Sequence, residues 1–405
     1  MRILALADDL SGANEVAAVL ADLPDHSRGG TACSVHVASS RTVLVRLDAS
    51  SAQRDDVDVT VMGTDNRRRT GQEAADHLRR VLAGAAGVAS ADPVVFLKFD
   101  SLLRGNIGVQ LQAAQELAPV LFCPAVPALG RTVRDGVLLV DGRPLHESAL
   151  WAAETGRPAH TVVAQLAPVS SQHLDLATVR GADLDGAVRR AAGAGAVAVC
   201  DAETPADLER LAAAGLRRGF VLAGSAGLAG ALASLMPPVP GRPGEGGAHV
   251  LERDALILLG TASAAAHRQA QVLEASGVPV HRLRPEQIDA FHLDLHGTVA
   301  VTVEAAVDPS ISAAVNTALT GLAVRCHGGR HLVLSGGETA QAVLEALGTT
   351  DLVPVAQAHP GAVVSAVADG RLVATRPGSY GSDTSLLDIL ATMHSLQDIT
   401  GKVPS

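Results

Sequence analysis

RILALADDLSGANEVAAVLADL, residues 2–23, decides the fold. An apolar run from Ile3 to Ala7 stops at two adjacent acids, and after a Ser-Gly pair an Ala/Val-rich helical pattern begins. A short run with no polar face predicts a strand buried on both sides, as in a parallel sheet covered by helices. The same grammar recurs along the chain. TVLVRLDA and VDVTVMGTD precede the helical TGQEAADHLRRVLAGA, PVVFLKFD precedes NIGVQLQAAQEL, and LAPVLFCPA follows. Later, ALILLG precedes SAAAHRQAQVLEAS, then come VPVHRL and TVAVTV, and HLVLSG precedes ETAQAVLEAL. The alternation predicts an α/β fold of two domains, each with a mostly parallel sheet flanked by helices. MPPVPGRPGEGGAH, residues 236–249, is too rich in Pro and Gly to build a core. It reads as a linker between a domain of residues 1–235 and another of residues 250–405.

Composition narrows the function. At 405 residues the chain exceeds one ordinary domain, and 47% apolar against 18% charged residues suits well-filled cores. Only seven residues are aromatic, so those cores are expected to be Ala, Val and Leu. A net charge of −10 gives no long-range attraction to nucleic acid or to an anionic membrane, so any anionic ligand needs a local pocket. Cys33, Cys123, Cys200 and Cys326 have neither C-x-x-C nor zinc spacing and read as reduced thiols of a cytoplasmic protein. The N-terminal apolar run is too short for a signal peptide, and no stretch reaches the ~18 apolar residues of a membrane span. A soluble protein is expected.

In open α/β sheets, ligands bind beyond the carboxyl ends of the strands. That rule puts Asp8 and Asp9 at the rim of a crevice. Successive strand residues alternate in direction, so one of the pair is expected to face the crevice and the other to brace the turn. FLKFDSLLRGNIG, residues 96–108, gathers Lys98, Asp100, Ser101, Arg104 and Asn106 at another strand end. Lys98 and Asp100 are expected to share a face, and Gly105 permits a tight turn before a helix N-terminus. Arg67, in TDNRRRT, offers a planar fork for a carboxylate, whereas Arg68 and Arg69 read as a solvated run. PALGRTVRDGVLLVDGRPLHES, residues 127–148, predicts a small hairpin with turns at the two Asp-Gly pairs. Arg131 there is placed to reach an anion, and the hairpin reads equally as a flap or as the arm of a homodimer.

The second half carries phosphate-style turns instead. LVLSGGETAQAVLEAL, residues 332–347, is strand, Gly336-Gly337 turn and helix, whose free N–H groups and dipole suit a phosphate. Glu338 beside it reads as a dipole-complementing cap or as a neighbour of phosphate-bound Mg²⁺. LILLGTASAAAHRQAQ (256–271) repeats the device with Gly260, Thr261 and Ser263, and RPGSYGSDTSLL (376–387) with Gly378 and Gly381. Together the three turns favour a nucleotide's phosphates. No G-x-x-x-x-G-K-[ST], no G-x-G-x-x-G after a strand and no G-x-S-x-G occurs, which disfavours a P-loop enzyme, a Rossmann dehydrogenase and an α/β-hydrolase. FHLDLHG, with His292, Asp294 and His296, reads as the polar face of a strand rather than a metal site. GSAGLAGALA, residues 224–233, reads as close helix packing.

These segments resemble the four-carbon acid sugar kinase family. ADDLSGANE matches its A-D-D-[LF]-T-G-[AS]-[NT]-D, and KFDSLLRGNIG matches its K-x-D-S-x-x-R-G-N-I-G. PAVPALGRTVRDGVLLVDGRPLHES, GSAGLA, GGET and RPGSYG follow in family order over nearly the whole chain. Ser11 stands where Thr is usual, Glu15 where Asp is, Arg376 where Lys is common and Tyr380 where Phe is. The resemblance implies an N-terminal domain for the sugar acid and a C-terminal domain for ATP with Mg²⁺. It makes Asp8, Asp9, Arg67, Lys98, Asp100 and Arg104 acid-sugar candidates, with Ser101, Asn106 and Arg131 beside them. Ser263, Gly336, Gly337, Glu338, Thr339, Gly378 and Gly381 become nucleotide candidates. The expected activity is ATP-dependent phosphorylation of the terminal hydroxyl of a four-carbon sugar acid, with Asp8 or Asp9 receiving the hydroxyl proton and Asp100 in reserve. Domain closure is expected to exclude water. A sugar-acid dehydrogenase or isomerase, and a sugar-acid sensor without transfer activity, are the alternatives. Metal ligands stay unassigned.

Overall fold

The computed structural model describes residues 1–23, 43–47, 57–86, 93–151, 156–237, 253–260, 263–293, 297–304, 309–378 and 381–400. The chain divides into two compact units. One comprises Met1–Leu20 with Asp48–Pro238, the other Ala21–Leu47 with Val239–Ser405. The later division falls inside the expected linker. The earlier one departs from the expected domain of residues 1–235, because Ala21–Leu47 belongs to the second unit. The reason is local: TVLVRLDA does form a strand, Val43–Arg46, but alternation of side chains does not say which sheet a strand joins. Its Val45 and Arg46 pair antiparallel with Leu352 and Asp351, and Arg46 Nε lies 3.2 Å from the Asp351 carboxylate.

Among the described residues, the main sheet of the first unit has seven strands, all parallel. Their order is Val59–Gly63, Ile3–Ala7, Val94–Lys98, Val221–Gly224, Val120–Cys123, Val197–Cys200 and Ser171–Leu174. Ile3–Ala7, Val59–Gly63, Val120–Cys123 and Val197–Cys200 are buried along their whole length, as their unbroken apolar runs require. Register brings their carboxyl ends level: Ala7 pairs with Gly63 and with Lys98, and Lys98 with Gly224. The reading of GSAGLAGALA as packing holds, since a Cβ on Gly227 would stand 2.3 Å from the Ala125 carbonyl oxygen. The hairpin forms as expected from strands Arg131–Arg134 and Val137–Val140, with Asp135-Gly136 and Asp141-Gly142 all at positive φ. Its first turn is pinned from beneath. The wholly buried Asp201 carboxylate accepts from the N–H groups of Asp135 (2.7 Å) and Gly136 (3.0 Å), with His173 Nε2 at 2.8 Å.

The second unit is mixed. Val280–Leu283, Val299–Val303, Ala255–Leu259, His331–Ser335 and Leu372–Arg376 run parallel in that order, and Ala362–Ala366, Asp351–His359 and Val43–Arg46 continue antiparallel. Here too the carboxyl ends align, Leu259 beside Ser335 and Ser335 beside Arg376. Phe291 to Leu293 lie outside any strand with His292 exposed, and Asp294 and His296 fall outside the described residues. Cys123, Cys200 and Cys326 are free and buried, and burial pushes the Cys123 thiol up to about 12. Among the described residues no helix is long and apolar enough to cross a membrane.

Candidate functional site

Three strand ends of the first unit deliver one cluster of charges. Beyond Ala7 the chain turns into the helix Leu10–Leu20, so strand alternation lapses and both acids reach the same cation. Arg67 donates from Nε and Nη2 to the two oxygens of Asp8 (3.1 and 3.0 Å) and from Nη1 to Asp9 (3.1 Å). The two acids, expected to point in opposite directions, thus converge on one guanidinium. Asp9 does cap the helix, accepting from Gly12 N–H (2.9 Å) and Ser11 Oγ (2.7 Å), yet it shares Arg67 with Asp8. Arg67 is aimed by its neighbour. Buried Asn66 donates to Gln110 Oε1 (2.8 Å) and to the Ala74 carbonyl, and meets His77 Nδ1 at 2.7 Å. Arg68 and Arg69 are exposed, as expected of a solvated run.

Lys98 ends its strand 3.1 Å from Glu15 on the helix Leu10–Leu20, and Asp100 lies beyond the strand end, where the alternation behind the expected shared face no longer holds. Asp100 instead folds over its own loop. It accepts from the N–H groups of Leu102 (3.2 Å) and Arg104 (3.3 Å) and from the Arg104 guanidinium at 2.6 and 2.8 Å. That loop holds Leu103 at φ 61°, a conformation a bulky residue adopts only when its surroundings insist. Trp151 Nε1 bonds the Leu102 carbonyl (2.8 Å) and Gln165 Nε2 the Leu103 carbonyl (3.3 Å), which supplies that insistence. Gly105, at φ 87°, completes the turn where a Cβ would press 3.1 Å from Arg67 Cγ and 3.7 Å from Asp8 Oδ2. The loop and the two acids therefore converge on one rim. Ser101 Oγ receives a bond from Arg131 on the hairpin, and the Asn106 amide bonds the Arg69 carbonyl.

Burial pushes the Asp8 carboxyl above its ordinary range, against the pull of Arg67. Asp9 is buried too, but Arg67, Lys98, Ser11 and the Gly12 N–H outweigh that cost and hold it below. Asp100 lies far below the usual carboxylate range because Arg104's charge and bonds overcome its burial. Asp9 is also the more accessible, its side chain 11% exposed against 1% for Asp8.

In the second unit the glycine turns are held with almost no charge. Gly336 (φ 106°) leads into the helix Gly337–Ala346, with Glu338 in its first turn. Thr339 Oγ1 bonds Asn316 Oδ1 (2.6 Å), and Asn316 Nδ2 reaches Glu338 at 3.3 Å. A Cβ on Gly260 would stand 2.2 Å from Thr339 Oγ1, so the first turn closes on the second. Ser263 caps the helix Ala264–Ala275 through Ala266 N–H (3.2 Å). Gly378 and Gly381 flank two undescribed residues after Arg376, while Thr261 and Tyr380 lie outside the described residues. Glycine turns that lead into a helix N-terminus suit phosphates, and at Gly260 and Gly381 a Cβ would meet a side-chain oxygen at 2.2 and 2.5 Å. Among the described residues no group of three or more His, Cys, Asp or Glu is arranged for a metal ion. Sequence reading missed Asn66, Gln110, Trp151, Gln165 and Asn316. A lone polar residue in an apolar helix, as in AAVNTALT, is the one signal that marked any of them.

A family model described as a sugar-binding N-terminal domain matches residues 3–232, and one described as a nucleotide-binding C-terminal domain matches residues 292–386. With the two sheets and their contrasting strand-end chemistry, these define a two-part phosphotransferase. The chain belongs to the four-carbon acid sugar kinase family. It is 33% identical to a D-threonate kinase of Cupriavidus necator over 95% of this chain and 96% of that one. It is 29% identical to a D-threonate kinase of Bordetella bronchiseptica (94% and 95%) and 28% identical to a 3-oxo-tetronate kinase of Pseudomonas fluorescens (93% of each). A solved structure of a Salmonella typhimurium LT2 protein shares the fold at TM-score 0.72 and 21% identity, covering 96% of this chain and 98% of that one.

Proposed function

We propose that the protein transfers the γ-phosphoryl group of ATP to the terminal (C4) hydroxyl of a four-carbon sugar acid of the threonate, erythronate or oxo-tetronate type. The observation that carries this reading is the Asp8–Arg67–Asp9 knot, with Lys98 and the Asp100–Arg104 loop on the same strand-end rim. It supplies what a small hydroxy acid needs: cations for its carboxylate and an ionised acid for its hydroxyl. Phosphoryl transfer depends chiefly on such positioning and charge placement. Asp9 is the carboxylate that orients the hydroxyl and receives its proton, being the more exposed and the one held ionised. Asp8 is the inner partner that locks Arg67, and Asp100 keeps its loop rather than reacting. Arg67, Lys98 and Arg104 meet the substrate carboxylate, with Ser101, Asn106 and Arg131 holding the rim.

The nucleotide belongs to the turns at Gly336-Gly337, Ser263 and Gly378–Gly381, with Glu338 and Thr339 in the helix that follows the first. Mg²⁺ takes one or two carboxylates and otherwise phosphate oxygens, and Glu338 is the acid at that turn. Bound there, the ion neutralises phosphate charge. Free thiols at Cys123, Cys200 and Cys326 support a cytoplasmic setting. An ADP-release screen against D-threonate, D-erythronate and 3-oxo-tetronates tests the reading, with turnover expected on at least one acid. Thermal stabilisation by NAD(P) but not by ATP–Mg²⁺ would sink it.

A further inference from the structure

Arg376 ends the strand Leu372–Arg376 and is wholly buried (0% exposed), so it cannot itself meet a ligand in this arrangement. Its guanidinium is spread over elements that are far apart in sequence. Nε donates to Ser335 Oγ (3.1 Å), the residue just before the Gly336-Gly337 turn. Nη2 donates to Gln269 Oε1 (2.6 Å) on the helix that Ser263 caps, and Gln269 Nε2 passes on to the Ser382 carbonyl at 2.9 Å, next to Gly381. Nη1 donates to Ser385 Oγ (2.9 Å), at the start of the helix Ser385–Thr400. The Pro360 carbonyl can only accept, so His359 Nδ1 donates to it (3.1 Å), and in the neutral ring Nε2 accepts from Ser385 Oγ (2.6 Å). Gly381 is fitted against this relay: a Cβ there would stand 2.5 Å from Ser385 Oγ and 3.0 Å from His359 Cε1. The backbone joins in, since Gly336 N–H bonds the Arg376 carbonyl at 2.9 Å.

We infer that Arg376 is the positioning residue of the nucleotide site, fixing the spacing of Gly336, the helix capped by Ser263 and the segment from Gly381 to Ser385 through Ser335, Gln269 and Ser385 without touching the nucleotide. This rests on the proposed nucleotide site and says what sets its geometry. A planar fork with donors pointing three ways suits the task, whereas an ammonium on a flexible stem cannot hold three such acceptors at fixed separations. Burial brings the guanidinium down to about 10, which leaves it charged at neutral pH.

The test uses the full chain and ADP–Mg²⁺ as the probe, with Kd measured by calorimetry beside KM for each substrate. Arg376→Lys keeps the charge and loses the fork. It is expected to raise the ADP–Mg²⁺ Kd and the KM for ATP about 10-fold or more, because misplaced site groups are costly, while KM for the sugar acid stays within about 2-fold. Ser385→Ala removes one arm and is expected to raise the same Kd about 3-fold, which decides the matter where Arg376→Lys fails to fold. Unchanged nucleotide affinity in these folded variants, or an equal rise in both KM values, overturns the inference. A wild-type chain that does not bind ADP–Mg²⁺ overturns the nucleotide reading itself, and this inference with it.

Discussion

The two strand-end regions solve one task, holding an anionic ligand, by opposite means. In the first unit, acids and bases hold each other. Asp8 and Asp9 share Arg67, Glu15 takes Lys98, and Asp100 takes Arg104. In the second unit a single buried guanidinium is shared out among hydroxyl and amide groups, and the turns themselves offer backbone N–H groups. The difference matches the size of the charge each is proposed to meet. A triphosphate brings enough charge for helix N-termini and Mg²⁺ to suffice. A small hydroxy acid carries one carboxylate, and only side-chain charges in fixed places discriminate it from its many analogues.

The sharpest way to break this contrast is Asp9→Asn. If Asp9 orients the reacting hydroxyl, kcat should fall about 10²- to 10⁴-fold while ADP–Mg²⁺ affinity is untouched, and retained kcat would reject it as the essential carboxylate. Next comes Arg67→Met, which leaves two buried acids facing each other. Chemical denaturation should report a loss of about 3–5 kcal/mol, and a loss under about 1 kcal/mol would mean the charges do not hold the first unit together.

Acid pH tests the same point. Asp9, Asp100 and Asp207 have folded-state pKa values below their unfolded value, Asp207 because Arg180 bonds its carboxylate. Each therefore stabilises the fold above about pH 3.9 and loses that contribution as pH falls. Asp8, raised by burial, has the opposite sign: its contribution is present below the unfolded value and is lost as pH rises through the folded one. Three groups outweigh one, so Tm should drop below about pH 4, and Asp100→Asn should make that drop shallower. An unchanged acid limb in Asp100→Asn would remove the Asp100–Arg104 pair from the account. The smallest effect is expected in the second unit, where Ser263→Ala removes a neutral helix cap. It should lower stability by about 1 kcal/mol, read by urea denaturation, and a larger loss would blur the contrast between the units.

How far these arrangements were legible depends on the range of the interactions. The buried strands and the glycine turns were readable because apolar runs and Gly-Gly pairs are local signals. So were the Asp-Gly hairpin turns, whose positive φ values few residue pairs adopt so readily. The rim residues were also gathered correctly, since Asp8, Asp9, Lys98 and Asp100 all lie at strand ends that register brings level. Their pairings were not legible. Lys98 and Asp100 were placed on one face by strand alternation, but the strand stops at Lys98 and Asp100 turns back on Arg104. Arg376 was read only as a departure in a motif, because its partners, Gln269 and Ser385, carry no marks of their own in sequence.

The strand Val43–Arg46 has a consequence for how the protein is made. Its partner residues on one side, Leu352 and Asp351, lie about 300 residues downstream, so the strand emerges from the ribosome long before that neighbour exists. At about 5–20 residues per second the wait is roughly 15–60 s. During that interval the side of the strand that later meets Leu352 and Asp351 has open backbone groups and invites pairing with other nascent chains.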